Sequence, residues 1–108
     1  MANEKHVVVF ITAETHGQGR DIADALVGDK LAACVNIVPS VQSKFRWQGK
    51  IDSANESLLI VKTREVLLDK VIAKVKSIHS YKVPEIIALP IVGGNKDYLD
   101  WIDESTEG

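Results

Sequence analysis

The segment His79-Ser80-Tyr81-Lys82-Val83-Pro84-Glu85-Ile86-Ile87-Ala88-Leu89-Pro90-Ile91-Val92-Gly93-Gly94-Asn95-Lys96-Asp97-Tyr98-Leu99-Asp100-Trp101-Ile102 packs four structural events into one stretch. It ends a helix at His79, opens a strand at Val83-Pro84 and turns on Gly93-Gly94. At Asn95 it starts a short helix whose Tyr98, Trp101 and Ile102 lie toward one face. Proline has no N–H to give a central ladder, so Pro90 marks the strand from Glu85 to Val92 as an edge or a bulged strand. His79, Tyr81 and Glu85 meet at the junction, where polar chemistry has a natural place. Two glycines before Asn95 read as a turn and cap rather than as an anion cradle.

Upstream, Val7-Val8-Val9-Phe10-Ile11 is a continuous apolar run, the pattern of a strand buried on both faces. Thr15 and Gln18 suit a helix N-cap with a reciprocal partner. Ile22, Ala25 and Leu26 continue at helical spacing to about Asp29. Leu31 to Val38 returns to strand until Pro39 interrupts it. Beyond Pro39, Val41, Ser43, Phe45 and Trp47 alternate with Gln42, Lys44 and Arg46. Gln48-Gly49 turns the chain, and a hairpin returns through Ile51 to Leu58-Leu59-Ile60-Val61. Thr63 suits the N-cap of the next helix, whose stripe is Leu68, Val71, Ile72, Val75 and Ile78.

The order is βαββαβ with a C-terminal helix, a ferredoxin-like α+β fold. Pro39 and Pro90 push the second and fourth strands to the edges, which predicts an antiparallel sheet of order 4-1-3-2 with right-handed crossovers. The hairpin arm Val41–Trp47 spans seven residues, roughly 23 Å, and is long for so small a domain. Its Phe45 and Trp47 face needs cover and its edge needs a partner, so we expect an oligomer built by strand addition.

At 108 residues the chain is one domain over 1–108. A net charge of −2 with scattered basic residues excludes an electrostatic nucleic-acid binder as an expectation. No apolar run approaches the roughly 20 residues that span a bilayer, so no membrane role is expected. Cys34 is alone and has no partner for an intrachain disulfide. With no apolar region before Val7, the expected location is the cytoplasm. We also expect Cys34 to be a buried mid-strand hydrophobe, and His6 and His16 to be solvated.

Several motifs in order resemble the CutA family, the divalent-cation tolerance proteins. They are Val7-Val8-Val9, Leu31 through Pro39, Trp47-Gln48-Gly49-Lys50-Ile51, Glu56, Lys62-Thr63, Pro84-Glu85-Ile86-Ile87, Leu89-Pro90-Ile91 and Tyr98 through Ile102. The resemblance implies a ferredoxin-like subunit in a homotrimer, architecturally similar to PII signalling proteins. It also implies a role in tolerance to copper and other divalent metals.

His79 is the candidate metal ligand, since a neutral imidazole suits copper or zinc. The structural alternative places it against the helix's last carbonyls and dipole. Copper-binding bacterial members that resemble this chain carry a cysteine in the first strand and a histidine pair before Pro-Tyr. Here those positions are Ile11, Ile78-His79 and Ser80-Tyr81, so only His79 carries over. The resemblance places Glu56, Lys62, Tyr81, Glu85 and Trp47 around an intersubunit cavity. Their readings are register-fixing ion pairs and hydrogen bonds, or a pocket for a small anionic or metal ligand. No G-x-S-x-G, phosphate-binding loop or H-E-x-x-H occurs, so the expected function is not enzymatic and requires no cofactor. The candidates are a copper- or other divalent-cation-binding protein, a PII-like small-ligand sensor, and a trimeric scaffold for protein partners.

Overall fold

The β-branched run after Lys5 forms strand β1 (His6–Ala13) in a computed structural model that describes residues 5–107. Helix α1 (His16–Gly28) follows, with the Thr15 hydroxyl oxygen accepting the Gln18 amide at 3.1 Å. The expected reciprocal bond lands one residue earlier, since Gln18 Oε1 meets the Glu14 amide at 3.5 Å. Strands β2 (Cys34–Trp47) and β3 (Lys50–Arg64) form the long hairpin. Gln48 and Gly49 both take left-handed backbone angles, with φ of 52° and 77°, as a two-residue type I′ turn demands. A 3-10 turn at Glu65–Leu67 leads into α2 (Leu68–Ile78), then β4 (Ile86–Ile91) and α3 (Lys96–Ser105).

The antiparallel sheet has the order β2-β3-β1-β4, the expected order read from the opposite edge. Pro90 lies in edge strand β4 opposite Val7. Pro39 lies within β2, where the register slips between Val38 and Val41. There Pro39 and Ser40 face Ser57 alone, a β-bulge. The buried Ser57 hydroxyl donates to the Pro39 carbonyl at 3.1 Å, which satisfies an acceptor that the ladder cannot serve. The strand therefore does not stop at Pro39; it bends there and continues as the arm.

Val7, Val9 and Ile11 of β1 pack with Leu59 and Val61 of β3 against Ile22, Leu26, Val71 and Val75 of the two long helices. Each such side chain, fully buried, contributes roughly 1.5–3 kcal/mol relative to exposure. The opposite face differs from the sequence expectation. Val8, Phe10, Leu58 and Ile60 are half-buried, and Ile87 and Leu89 remain 53% and 49% exposed. An unbroken apolar run thus serves one covered face and one that the single chain leaves largely open.

Helix α3 closes one end of that second face. Asn95 caps it by accepting the Asp97 amide at 3.0 Å, and Ile102 is fully buried. Arg64 Nε donates to Thr106 Oγ1 at 2.7 Å, and His6 Nε2 lies 2.8 Å from Asp103 Oδ1. His6 is therefore half-buried and paired, not solvated. Of the three residues read as one helix face, Ile102 is buried, while Tyr98 and Trp101 lie 42% and 41% exposed and tilt against each other. Cys34 begins β2 and is half-buried, not mid-strand.

Thr63 is a second correction. It caps no helix: it is fully buried in β3, and its hydroxyl donates to the Leu31 carbonyl at 2.7 Å. Helix α2 begins five residues later at Leu68 and has no side-chain cap. The Leu31 amide is also occupied, by Leu26 O at 2.9 Å, so β2 starts only at Cys34. Thr63→Val removes a buried hydroxyl donor at nearly constant volume. It should lower unfolding free energy by about 1–2 kcal/mol. Equilibrium urea unfolding measures this, and an unchanged midpoint would show that the bond contributes nothing.

Candidate functional site

Three consecutive side chains after α2 reach three different elements. His79 Nε2 lies 2.7 Å from the Thr12 carbonyl of β1. Ser80 Oγ donates to Glu14 Oε1 at 3.0 Å and to Gln18 Oε1 at 3.2 Å, at the start of α1. The Tyr81 hydroxyl donates to Glu56 Oε2 of β3 at 2.8 Å. The loop is thereby held across the end of the sheet, beside the root of the hairpin arm.

His79 occupies the C-cap of α2, where its amide donates to Val75 O at 2.9 Å. Its ring does not turn to the helix carbonyls. The Tyr81 amide donates to Nδ1 at 3.0 Å, and a backbone amide can only donate. Nδ1 is consequently the acceptor, and the ring proton sits on Nε2, where it bonds the Thr12 carbonyl. With both bonds in place no imidazole lone pair is free for a metal. The ring also tilts against Tyr81, with centroids 4.8 Å apart. Of the flanking positions, Ile11 is fully buried in the core and Ile78 is 39% exposed. Among the described residues, no group of three or more His, Cys, Asp or Glu side chains is placed to hold a metal ion.

A groove of about 930 Å³ runs along the arm's inner face to this loop. Ser43, Phe45 and Trp47 line it from β2, Asp52 and Glu56 from β3, and Ser80 to Val83 with Glu85 from the loop. The alternation read from sequence accounts for the first three, because residues two apart share a strand face. Four of the five proposed cleft residues, Trp47, Glu56, Tyr81 and Glu85, thus share one groove within a single chain. Lys62 does not join them. It lies along β3 from Glu56 in the direction away from the arm, opposite the start of β2, and donates to Asn36 Oδ1 across the strands.

Glu56 is the unusual member, a carboxylate only 8% exposed. Its partner among the described residues is the neutral Tyr81 hydroxyl, with no cation in contact. Burial first, then the bond to Glu56 and its negative charge, push the Tyr81 hydroxyl up from 10.0 to about 12. Sequence reading missed Ser80, Asp52 and the Thr12 carbonyl. Only the pairing of Phe45 with Asp52 and of Val41 with Glu56 brings the strand members together.

The family described as CutA1 divalent ion tolerance protein matches residues 7–105. The chain belongs to that family. The divalent-cation tolerance protein CutA of Thermus thermophilus is 52% identical over 99 residues, covering 92% of this chain and 96% of the relative. The chloroplastic CutA 1 of Oryza sativa is 50% identical over 100 residues. That match covers 93% of this chain but 56% of the plant protein, so this CutA1 chain spans little more than half its length. The crystal structure of rice CutA1 superposes with a TM-score of 0.93 at 48% identity, covering 95% of this chain and 94% of that one. The solved structure of the Thermus thermophilus protein gives 0.92 at 50% identity, covering 94% and 99%. These likenesses agree with the sheet order and the long hairpin of this CutA1 fold.

The raised Tyr81 hydroxyl has a defined pH signature. Its folded-state value lies above the unfolded one, so its contribution is complete below pH 10.0 and is lost as pH climbs toward about 12. The stability difference between the native chain and Tyr81→Phe should be flat below pH 10.0 and shrink above it. Denaturant titrations at stepped pH measure this, and a difference that grows with pH would reverse the assignment.

Proposed function

We propose that this chain serves tolerance to divalent cations as a cytoplasmic homotrimer with the Glu56–Tyr81 groove as its ligand site, a binding protein and not an enzyme. The observation that carries the ligand reading is the buried Glu56 carboxylate, held by Tyr81 at one end of a groove of about 930 Å³. A dehydrated carboxylate without a cation is costly unless something else completes its environment. A pocket of this size with a few convergent polar groups is the usual form of a small-molecule site. This favours the small-ligand reading, in the manner of a PII-like sensor, over a bare scaffold.

Two features support assembly. The sheet's second face presents Phe10, Ile60, Ile87 and Leu89 with partial cover, and the arm leaves Trp47 and Ile51 exposed at 59% and 73%. The chain is also extended, at 47 × 25 × 22 Å with a radius of gyration of 14.5 Å. A compact chain of this length would have about 13 Å. Apolar area of this kind marks an interface. Sedimentation equilibrium should give the mass of three chains, and the melting temperature should rise with protein concentration. A monomer at micromolar concentration would end the trimer reading. Leu89→Glu, on the open face, should shift the assembly toward smaller species.

Copper or another divalent cation enters this reading as a weak direct ligand. Tight metal sites use three or four donors in fixed geometry, and His79 already spends both nitrogens within the chain. Calorimetry with copper(II) should show weak binding that His79→Ala leaves in place. A sub-micromolar site abolished by that substitution would make His79 a ligand after all. The cytoplasmic placement rests on the single unpaired Cys34. Relatives carry the descriptions chloroplastic and periplasmic.

A further inference from the structure

Two charges on one face of β3 meet no opposite charge in their own chain. Among the described residues, the charged side chains that are not exposed are Glu56, Lys62, Arg64, Lys74, Asp100 and Asp103. Lys74 pairs with Asp29, Asp100 with Lys96 and Asp103 with His6, and Arg64 is bound to Thr106. Glu56 and Lys62 have only neutral partners there. The Tyr81 hydroxyl donates to Glu56 Oε2, and the Asn36 amide oxygen takes one of the three ammonium protons of Lys62. Glu56 Oε1 carries no bond among these residues, and none of their buried polar side-chain atoms is left unpaired. Oε1 therefore stays open to contact from outside the chain.

The strand keeps the two apart. They lie six positions from each other in β3, so they share the sheet's second face at a separation of roughly 20 Å. Leu58 and Ile60 stand between them on that face, with Phe10, Ile87 and Leu89 alongside. The face thus runs from a carboxylate through an apolar middle to an ammonium. A second copy that covers the apolar middle takes water from both ends as well. A charge dehydrated without a counter-ion is strongly unfavourable, and these two are opposite in sign. We infer that a second copy of this chain completes the face, with Lys62 of one copy paired to Glu56 of the next. In a closed ring of three, each copy gives one ammonium and receives one, so neither charge is left over. Asp52 and Glu85 are exposed and keep their water, which makes Glu56 the carboxylate that needs the partner. The inference rests on the assembly in the proposed function and adds which residues join the copies. It also sets the Glu56 end of the groove at the junction of two copies.

The test is a double-mutant cycle on the full chain, read as the protein concentration at which the assembly dissociates in sedimentation. Lys62→Met and Glu56→Gln should each raise that concentration by about tenfold or more, because each leaves the other charge dehydrated and alone. The double variant should do no worse than the worse single one, since it leaves neither. Lys62→Arg, which keeps the charge, should recover most of the loss. Lys74→Met breaks a pair inside the chain and should change nothing. An equal shift there would trace the losses to the fold and overturn the pair. Losses that multiply in the double variant, or single variants that match the native chain, overturn the pair and leave the assembly standing. A native protein found as single chains at micromolar concentration removes the assembly and the pair together. If Glu56→Gln does not fold, Glu56→Asp takes its place in the cycle, because the shorter side chain draws the carboxylate back from its partner.

Discussion

A proline nitrogen carries no proton, and the arrangement of this sheet depends on where the chain places two of them. Pro39 and Pro90 each deny a donor to one side of a strand, so β2 and β4 stand at the edges and β1 and β3 fill the centre. At Pro39 the ladder cannot close, and two residues bulge against Ser57. The Ser57 hydroxyl satisfies the carbonyl left over, and pairing resumes at Val41. That bulge separates the part of the hairpin that covers the core from the arm that forms one wall of the groove. Its position therefore determines where Glu56, the first residue paired beyond it, stands.

The loop after α2 completes the other wall by a division of labour among neighbours. His79 ties it to β1, Ser80 to α1 and Tyr81 to β3. Each bond alone is worth little after exchange with water, on the order of 1 kcal/mol. Together they hold the segment in one place, and that rigidity lets a single hydroxyl aim at a buried carboxylate. The histidine that looks like a metal ligand in one dimension is, in three, the first of these ties. Its tautomer follows from its two backbone partners, one of which can only donate and the other only accept.

Much of the fold was legible because strands and helices announce themselves by period and by punctuation. The alternation from Val41 to Trp47, the Gln48-Gly49 turn and the Thr15 and Asn95 caps are local rules obeyed locally. Thr63 shows where such rules stop. A threonine before a helix suits a cap, yet its hydroxyl found the Leu31 carbonyl 32 residues away in sequence. Nothing nearby in the chain encodes that contact. The same holds for His6, whose partner Asp103 lies at the far end of the chain.

The sequence by itself determined the element order, the edge positions of the proline-bearing strands, the long arm and the family, because backbone geometry and side-chain period act over a few residues. Only the tertiary structure decided which polar groups meet. Of the cleft residues named in advance, Trp47, Glu56, Tyr81 and Glu85 line one elongated groove, with Trp47 toward the arm's tip and Glu56 at its root, whereas Lys62 lies along the same strand away from the arm and bonds Asn36. Strand register and the bulge set those distances, and a change of one residue in register would move each side chain to the other face. The burial of Glu56 follows from the same register: a carboxylate's surroundings are a property of what packs around it.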